Sequence, residues 1–389
     1  MSKITTIGLD LAKKVFHVHG VDVAGNVVVV RRLKRKEVLA FFAKLPPCLV
    51  GVEACGSAHH WGREIAKLGH TVRLMPPRYV KPYVKRGKTD PIDAAAICEA
   101  VTRPTMSFVP IKGVEQQGLS MLHSARSLLI GQRTQLINAV RGHLSEFGIV
   151  AERGLLGLAE LAAIVRDERD QRLPATARAA LMVLVRQIEA ISAEIASLDS
   201  ILMKENKASE LGSRLDTIPS VGPVIASAFR ARVTDAKLFE NGRHLSAWIG
   251  LVPENDSTGG KLKQKGLSKK GDRYLRSLLV NGAMAVVRQA QKRPDKHPWV
   301  TKLLGRMSAK QAAIAIANKT ARIAWAIMVH GGVYETGHRA PPISSAGVRG
   351  CPDKRLGDGV IAAAAAHDCN ARARGTRRKA SRVAEVLMA

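Results

Sequence analysis

An α/β domain followed by an all-α region is predicted by three features of this chain. Short β-rich runs fill the first 75 or so residues, helical spacing dominates from there to about residue 333, and the apolar period changes from two to three-and-four between the two parts. The 389 residues can form two or three domains, and a 46% hydrophobic content can fill ordinary cores.

Taken in order, ITTIGLDLA, VFHVHGVDV and NVVVVRRLK are β-rich runs separated by turn-like or charged residues, which predicts three sequential antiparallel strands. KEVLAFFAKL has helical spacing, CLVGVEA is a compact apolar strand, HHWGREIAKLG is a helix closed by Gly69, and TVRLMP is another strand. KTDPIDAAAICEA then opens a further helix. The order β-β-β-α-β-α-β-α is the pattern of an RNase H-like fold. From Glu115 to about Val150 the chain is helical and basic, with arginines along an amphipathic stripe in SARSLLIGQRTQLINAVRGHL.

Leu181, Leu184, Ile188, Ile191, Ile195, Leu198 and Leu202 alternate at spacings of three and four, a heptad seam that predicts a coiled coil; a helix packed on its own domain has the same pattern. LDTIPSVGPVIASAF reads as helix, tight turn, helix. It resembles a helix-hairpin-helix whose turn, with Gly222, offers backbone amides to a phosphate, or else a glycine turn between packed helices. These elements divide the chain into a sheet domain over 1–150, a coiled-coil segment over 151–208 and a helical domain over 209–333. The stretch 334–389 lacks periodicity, is scattered with Pro, Gly and Arg, and predicts a mostly disordered basic tail.

A formal net charge of +29 and a pI near 10.5 imply a polyanionic partner, nucleic acid first. A membrane surface is the competitor, but the sequence reads as having no apolar run of about 18 residues. MSKITTIGLDLAKK lacks the apolar core and cleavage site of a signal peptide, which points to the cytoplasm. Cys48, Cys55, Cys98, Cys351 and Cys369 are scattered and without zinc spacing, and are read as free thiols.

Four acids stand at fold-compatible places. Asp90 and Asp93 open a helix, where Asp90 can be its N-cap, Pro91 suits the first helical position and Asp93 favours the first turn. At i and i+3 they also share a face and can address one cation. Asp10 lies in the first strand and Glu53 ends the fourth. In an RNase H-like sheet those strands are neighbours, so all four carboxylates converge. Such a cluster repels itself unless cations neutralise it, and hard oxygen ligands suit Mg²⁺ or Mn²⁺, two ions roughly 4 Å apart holding both oxygens of a phosphoryl transfer.

A second block, VPENDSTGGKLKQKGLSKKGDRYLR, places Ser257 in a loop rich in Asn, Asp, Thr and Gly. Sixteen Lys/Arg stand against three Asp/Glu between Asp256 and Arg322. Lys261, Lys263, Lys265, Lys269, Lys270, Arg273 and Arg276 are assigned to a nucleic-acid backbone, with binding that weakens by roughly 0.9 log units per log salt for each duplex phosphate neutralised. Only 4% of residues are aromatic, so base stacking should not dominate. On these residues alone, Ser257 reads as a turn residue or a phosphate donor.

GLDLAKKVFHVH, the stretch from VGVEACGSAHHW to KTDPIDAAAICEA, and GLVPENDSTGGKLKQKGLSKKGDRYLRSLL resemble the transposases of the IS110 group of bacterial insertion sequences, closest to the IS1111 branch, from about Ile4 to Val333. The resemblance implies a RuvC-like domain with a DEDD metal site on Asp10, Glu53, Asp90 and Asp93, a coiled coil, and a transposase domain. Its serine, here Ser257 with Thr258 and Ser268 as weaker rivals, would be a nucleophile that joins covalently to a DNA strand. A structured guide RNA and a dimer of dimers are implied as partners. Two alternatives stay open: a RuvC-like junction endonuclease that uses water, and an inactive nucleic-acid-binding remnant.

Overall fold

A computed structural model describes residues 3–85, 89–257 and 263–335. Thr258, Lys261, Cys351, Cys369 and the predicted tail from 336 lie outside them. The described chain divides into two compact units, one ending at Val114 and one beginning at Glu115.

The first unit follows the alternation of its sequence. It comprises β1 (Thr6–Asp10), β2 (Val15–Val21), β3 (Val27–Lys34), α1 (Val38–Phe42), β4 (Leu49–Glu53), α2 (Ala58–Lys67), β5 (Thr71–Met75), α3 (Pro77–Val80) and α4 (Asp90–Val101). One mixed sheet runs in the order β3-β2-β1-β4-β5. The first three strands are antiparallel, as expected, and β4 lies parallel between β1 and β5.

Period-two alternation gives the sheet two different faces. Ile7, Leu9, Phe16, Val18, Val50 and Val52 point to one side and bury against Val38, Phe42, Trp61 and Ile65 of α1 and α2. The opposite side carries Gly8 and Gly51. A Cβ on Gly8 would lie 2.1 Å from the Ala94 carbonyl oxygen and 2.4 Å from the Cys98 nitrogen, and one on Gly51 would lie 2.7 Å from Val101 Cβ. The two missing side chains let the alanine-rich α4 lie directly on the strands.

The second unit holds α5 (Val114–Ser145), α6 (Leu155–Arg166), α7 (Ala175–Lys207), α8 (Glu210–Asp216), α9 (Pro223–Arg232), α10 (Gly242–Ile249), β6 (Pro253–Asn255), β7 (Gln264–Leu267), α11 (Arg273–Lys292), α12 (Pro298–Leu304) and α13 (Ala309–His330). Helices α5 and α7 run antiparallel: Leu119 clusters with Leu202, Arg126 pairs with Asp199, and Val140 and Leu144 share a core with Leu181 and Val185. The heptad seam of α7 is therefore covered by its own chain, with α6 contributing Leu161 and Val165. A three-four spacing is met as well by an antiparallel helix of the same chain as by a partner's. Helix α13 is, by length and composition, the one described helix apolar enough to cross a membrane, but Lys319 and Arg322 interrupt it and half of that window is buried inside the unit, as in a core helix. Ala313, Ala317, Ala321 and Ala324 face α11 and α10 in the core.

Candidate active site

The acids come first from strand register. Asp10 ends β1, and Leu9 of β1 pairs with Val52 of β4, so the next step along both parallel strands brings Asp10 and Glu53 level at the strand ends. Both lie on the face that carries Gly8 and Gly51, the face covered by α4. The N-cap of α4 is Thr89, one residue earlier than the sequence suggests, and no side chain caps the helix there. The Thr89 carbonyl instead accepts the backbone N–H of Ile92 and Asp93. The capping role expected of Asp90 is thus not observed, and its carboxylate lies 3.6 Å from His17 Nδ1.

Burial, then Asp93, then Asp90 raise the Asp10 carboxyl above its ordinary range, while His17 opposes them. Charged Asp10 is therefore held in a place that disfavours its charge. Three of the four acids are in electrostatic contact, and the fourth ends the adjacent strand. Among the described residues, however, no three His, Cys, Asp or Glu side chains close to metal-holding distance. Like-charged carboxylates gain by standing apart, so the expected convergence reaches a shared face but not a closed cage. The donor set is hard oxygen, and a divalent cation would remove the repulsion acting on Asp10, so these residues fit such an ion chemically.

His17 is the residue that sequence reading passed over. It pairs with Asp10 in the β1–β2 ladder, and its Nδ1 is buried with no hydrogen-bond partner. The available signal was the alternation of VFHVHG, which puts His17 and His19 on the polar face opposite Phe16 and Val18.

Ser257 is exposed at the turn end of the β6–β7 hairpin, where the Asp256 backbone N–H donates to the Lys263 carbonyl at 2.8 Å. Two of the basic residues assigned to nucleic acid are ion-paired within this hairpin: Lys265 to Asp256 at 2.6 Å and Lys270 to Glu254 at 2.5 Å. Arg276 donates to the Ile249 carbonyl at 2.7 Å and so braces the hairpin's base. Lys263, Lys269 and Arg273 are exposed, Ser268 is half-buried, and Gly222 is the extended N-cap of α9 with open space at its Cα.

The base of the hairpin is fixed by buried polar contacts. Asn318 of α13 donates to Ser246 Oγ at 2.6 Å and to the Leu251 carbonyl at 3.1 Å. Gly271, at φ 133°, brings its Cα against the Trp248 carbonyl, where a Cβ would stand at 1.9 Å. The start of α11 is held by a second network. Ser227 Oγ donates to the Val224 carbonyl, so it accepts from His123 Nε2 at 3.0 Å, and His123 Nδ1 accepts from the Tyr274 hydroxyl at 3.0 Å. Arg126 joins Tyr274 to Asp199. Burial, with Arg232 and Arg126 beside it, pushes His123 down to about 4, so it is neutral at physiological pH.

The described cysteines are free thiols, Cys48 and Cys98 buried and Cys55 exposed. Burial pushes both Cys48 and Cys98 up to about 11, which makes them poor nucleophiles.

The acids and the serine hairpin fall within two matched families. The DEDD transposase family of IS110, described as "Transposase", matches residues 7–149, and "Transposase IS116/IS110/IS902 family" matches residues 212–297. A Pseudomonas aeruginosa protein named "Probable family 20 transposase" is 46% identical over 336 residues, covering 86% of this chain and 99% of its own length. The chain belongs to the IS110/IS1111 family of insertion-sequence transposases.

Two more relatives of this transposase support the assignment. The transposase for insertion sequence element IS1111A of Coxiella burnetii is 38% identical, covering 87% of this chain and 93% of its own. That for IS1328 of Yersinia enterocolitica is 37% identical, covering 86% and 99%. The protein is a DNA transposase, and its DEDD domain implies use of a divalent metal. The mixed sheet beneath the acids is consistent with a DEDD nuclease-like domain.

Proposed function

We propose that this transposase excises and inserts its own DNA element through a covalent phosphoserine link at Ser257, assisted by two Mg²⁺ or Mn²⁺ ions held by Asp10, Glu53, Asp90 and Asp93 in a RuvC-like unit. The observation that carries the reading is Asp10: a half-buried carboxyl pressed by Asp93 and Asp90, on the sheet face that α4 covers. When bound, the cations supply neutralising charge and polarise the phosphate oxygens. Ser257 Oγ bonds to phosphorus, the ester bond to one DNA oxygen breaks, and that oxygen takes up the serine's proton. The phosphodiester is conserved as phosphoserine, so the hydroxyl of an incoming strand reverses the step without ATP.

Lys263, Lys269 and Arg273 face the backbone phosphates, while Lys265 and Lys270 hold the hairpin's shape through Asp256 and Glu254. The turn before α9, with Gly222 at its end, is a helix-hairpin-helix-like phosphate contact. A structured RNA of the element selects donor and target by pairing. The transposase works in the bacterial cytoplasm as a dimer of dimers, for which exposed Met121 and Leu128 of α5 and Val183, Ile201 and Met203 of α7 provide apolar surface.

The test is a denaturing gel that detects protein linked to labelled junction DNA in the presence of Mg²⁺ and co-expressed RNA, for wild type, Ser257→Ala and Asp10→Ala. An adduct lost in both variants is the expected result. Cleaved DNA without adduct, persisting in Ser257→Ala, would replace the serine mechanism with a water-using junction endonuclease, and neither product would leave an inactive binding protein.

A further inference from the structure

Trp299, the second residue of α12, is 42% exposed although it is the largest apolar side chain of its helix. Lys319 of α13 sets its Nζ 4.1 Å from the Trp299 ring centre. One turn further along α13 is half-buried Arg322, packed against the start of α10, where a Cβ on Gly242 would lie 2.9 Å from Arg322 Cα. This packing brings Arg243 within electrostatic reach of Arg322. Lys302 lies one turn from Trp299 on α12.

The charges that act on Lys319 and Arg322 are themselves positive, Arg322 on the first and Arg243 on the second, and burial adds to them. Both groups are lowered from their ordinary values for these reasons, burial first. Glu240, at the turn before α10, is directed to His244 at 3.9 Å. Among the described residues no carboxylate acts on Lys319 or Arg322, and cations gathered in this way repel one another, a repulsion that an external anion relieves.

We propose that Trp299, Lys319, Arg322 and Arg243 form a binding surface for single-stranded nucleic acid, in which phosphates are held by the three cations and an unpaired base stacks on the exposed part of Trp299. The inference rests on the nucleic-acid partner of the transposase reading and adds a place and a strand state to it. An exposed indole beside several cations matches the combination by which single strands are held, since every base has a π-face and duplex bases are already stacked. The low overall aromatic content therefore does not exclude stacking at one site.

The test uses the full-length protein and fluorescence anisotropy with labelled 12-residue oligomers: deoxythymidine, uridine, an abasic DNA backbone, and a duplex. Trp299→Ala should weaken the base-bearing single strands by about tenfold, within the range expected for one base–aromatic stack, and leave the abasic strand unchanged. Trp299→Phe, which keeps a ring, should restore most of the affinity. Lys319→Ala and Arg322→Gln should each lower the slope of log K against log salt by roughly 0.7 on single strands, and Arg186→Gln, an exposed charge control on α7, which packs on α6, α8 and α9, should not. Comparison of the thymidine and uridine arms identifies DNA or RNA as the occupant. The proposal is overturned if Trp299→Ala binds all single strands like wild type, or loses base-bearing and abasic strands equally while its thermal midpoint is unchanged. Adduct formation by wild type in the junction assay, alongside either of those results, would remove this surface and leave the serine recombinase reading intact.

Discussion

Gly8→Ala tests the physical basis of the acid site without touching any acid. The added Cβ would stand 2.1 Å from the Ala94 carbonyl oxygen, 2.4 Å from the Cys98 nitrogen and 2.8 Å from Cys98 Cβ. Ordinary contacts of this kind lie about 3.5 Å apart, so α4 must lift from β1 by more than about 1 Å. Two of the three atoms are backbone, and no rotamer change relieves them. Overpacking of this type costs roughly 1–3 kcal/mol. The lift also carries Asp90 and Asp93 away from Asp10, and a displacement of about 1 Å in a reacting constellation costs on the order of 100-fold in rate. Thermal unfolding in chelator measures the first effect, and metal-dependent adduct or nick formation measures the second. Gly56→Ala is the control, because nothing lies within 4 Å of its Cβ position. Gly8→Ala with wild-type stability and wild-type cleavage would refute the claim that close approach of α4 builds the site.

Two further predictions concern charge. Burial, Asp93 and Asp90 raise Asp10, so the folded state keeps a proton that the unfolded chain has released, and metal-free stability falls as pH rises through that raised value. Asp10→Asn should therefore melt higher than wild type in chelator at neutral pH, lose that advantage in acid, and show less stabilisation by Mg²⁺; an unchanged midpoint at neutral pH would contradict the strain assigned to Asp10. His123 shifts the other way: its folded value is pushed to about 4 while an unfolded histidine titrates near 6.5, so the unfolded state binds more protons between them and stability falls as pH drops across that window. The loss is roughly 3 kcal/mol by about pH 4, and chemical denaturation of His123→Gln between pH 7 and 4 should lack that part of the slope.

The strands and helices of the first unit were legible because each depends on local spacing. TIGLD, VFHVHGV and LVGVE alternate at period two, and that alternation also fixes which residues share a face. The positions of Asp10 and Glu53 at strand ends and of Asp90 and Asp93 in one helix turn were legible for the same reason. His17 was not, because its importance comes from pairing with Asp10 in the ladder and from standing 3.6 Å from Asp90, 73 residues away in sequence. The seam on α7 was legible as apolar but not as intrachain, since three-four spacing carries no information about which helix will cover it. The lysines after Ser257 read alike in sequence, and the hairpin register separates Lys265 and Lys270, paired with Asp256 and Glu254, from exposed Lys263 and Lys269.

By itself, the sequence determined a basic chain with a nucleic-acid partner, a β-rich start, four acids on strand ends and one helix turn, and membership in a transposase family. Backbone geometry imposes its periods locally, and composition sums charge without reference to position, so these properties survive in one dimension. Tertiary structure alone decided that Thr89 rather than Asp90 is the N-cap of α4, that two glycines let this helix descend onto the strands that carry Asp10 and Glu53, that Asn318 and Arg276 brace the serine hairpin, and that Trp299 meets Lys319. Each of those depends on which surfaces come within a few ångströms, a matter of packing between segments that no local pattern records.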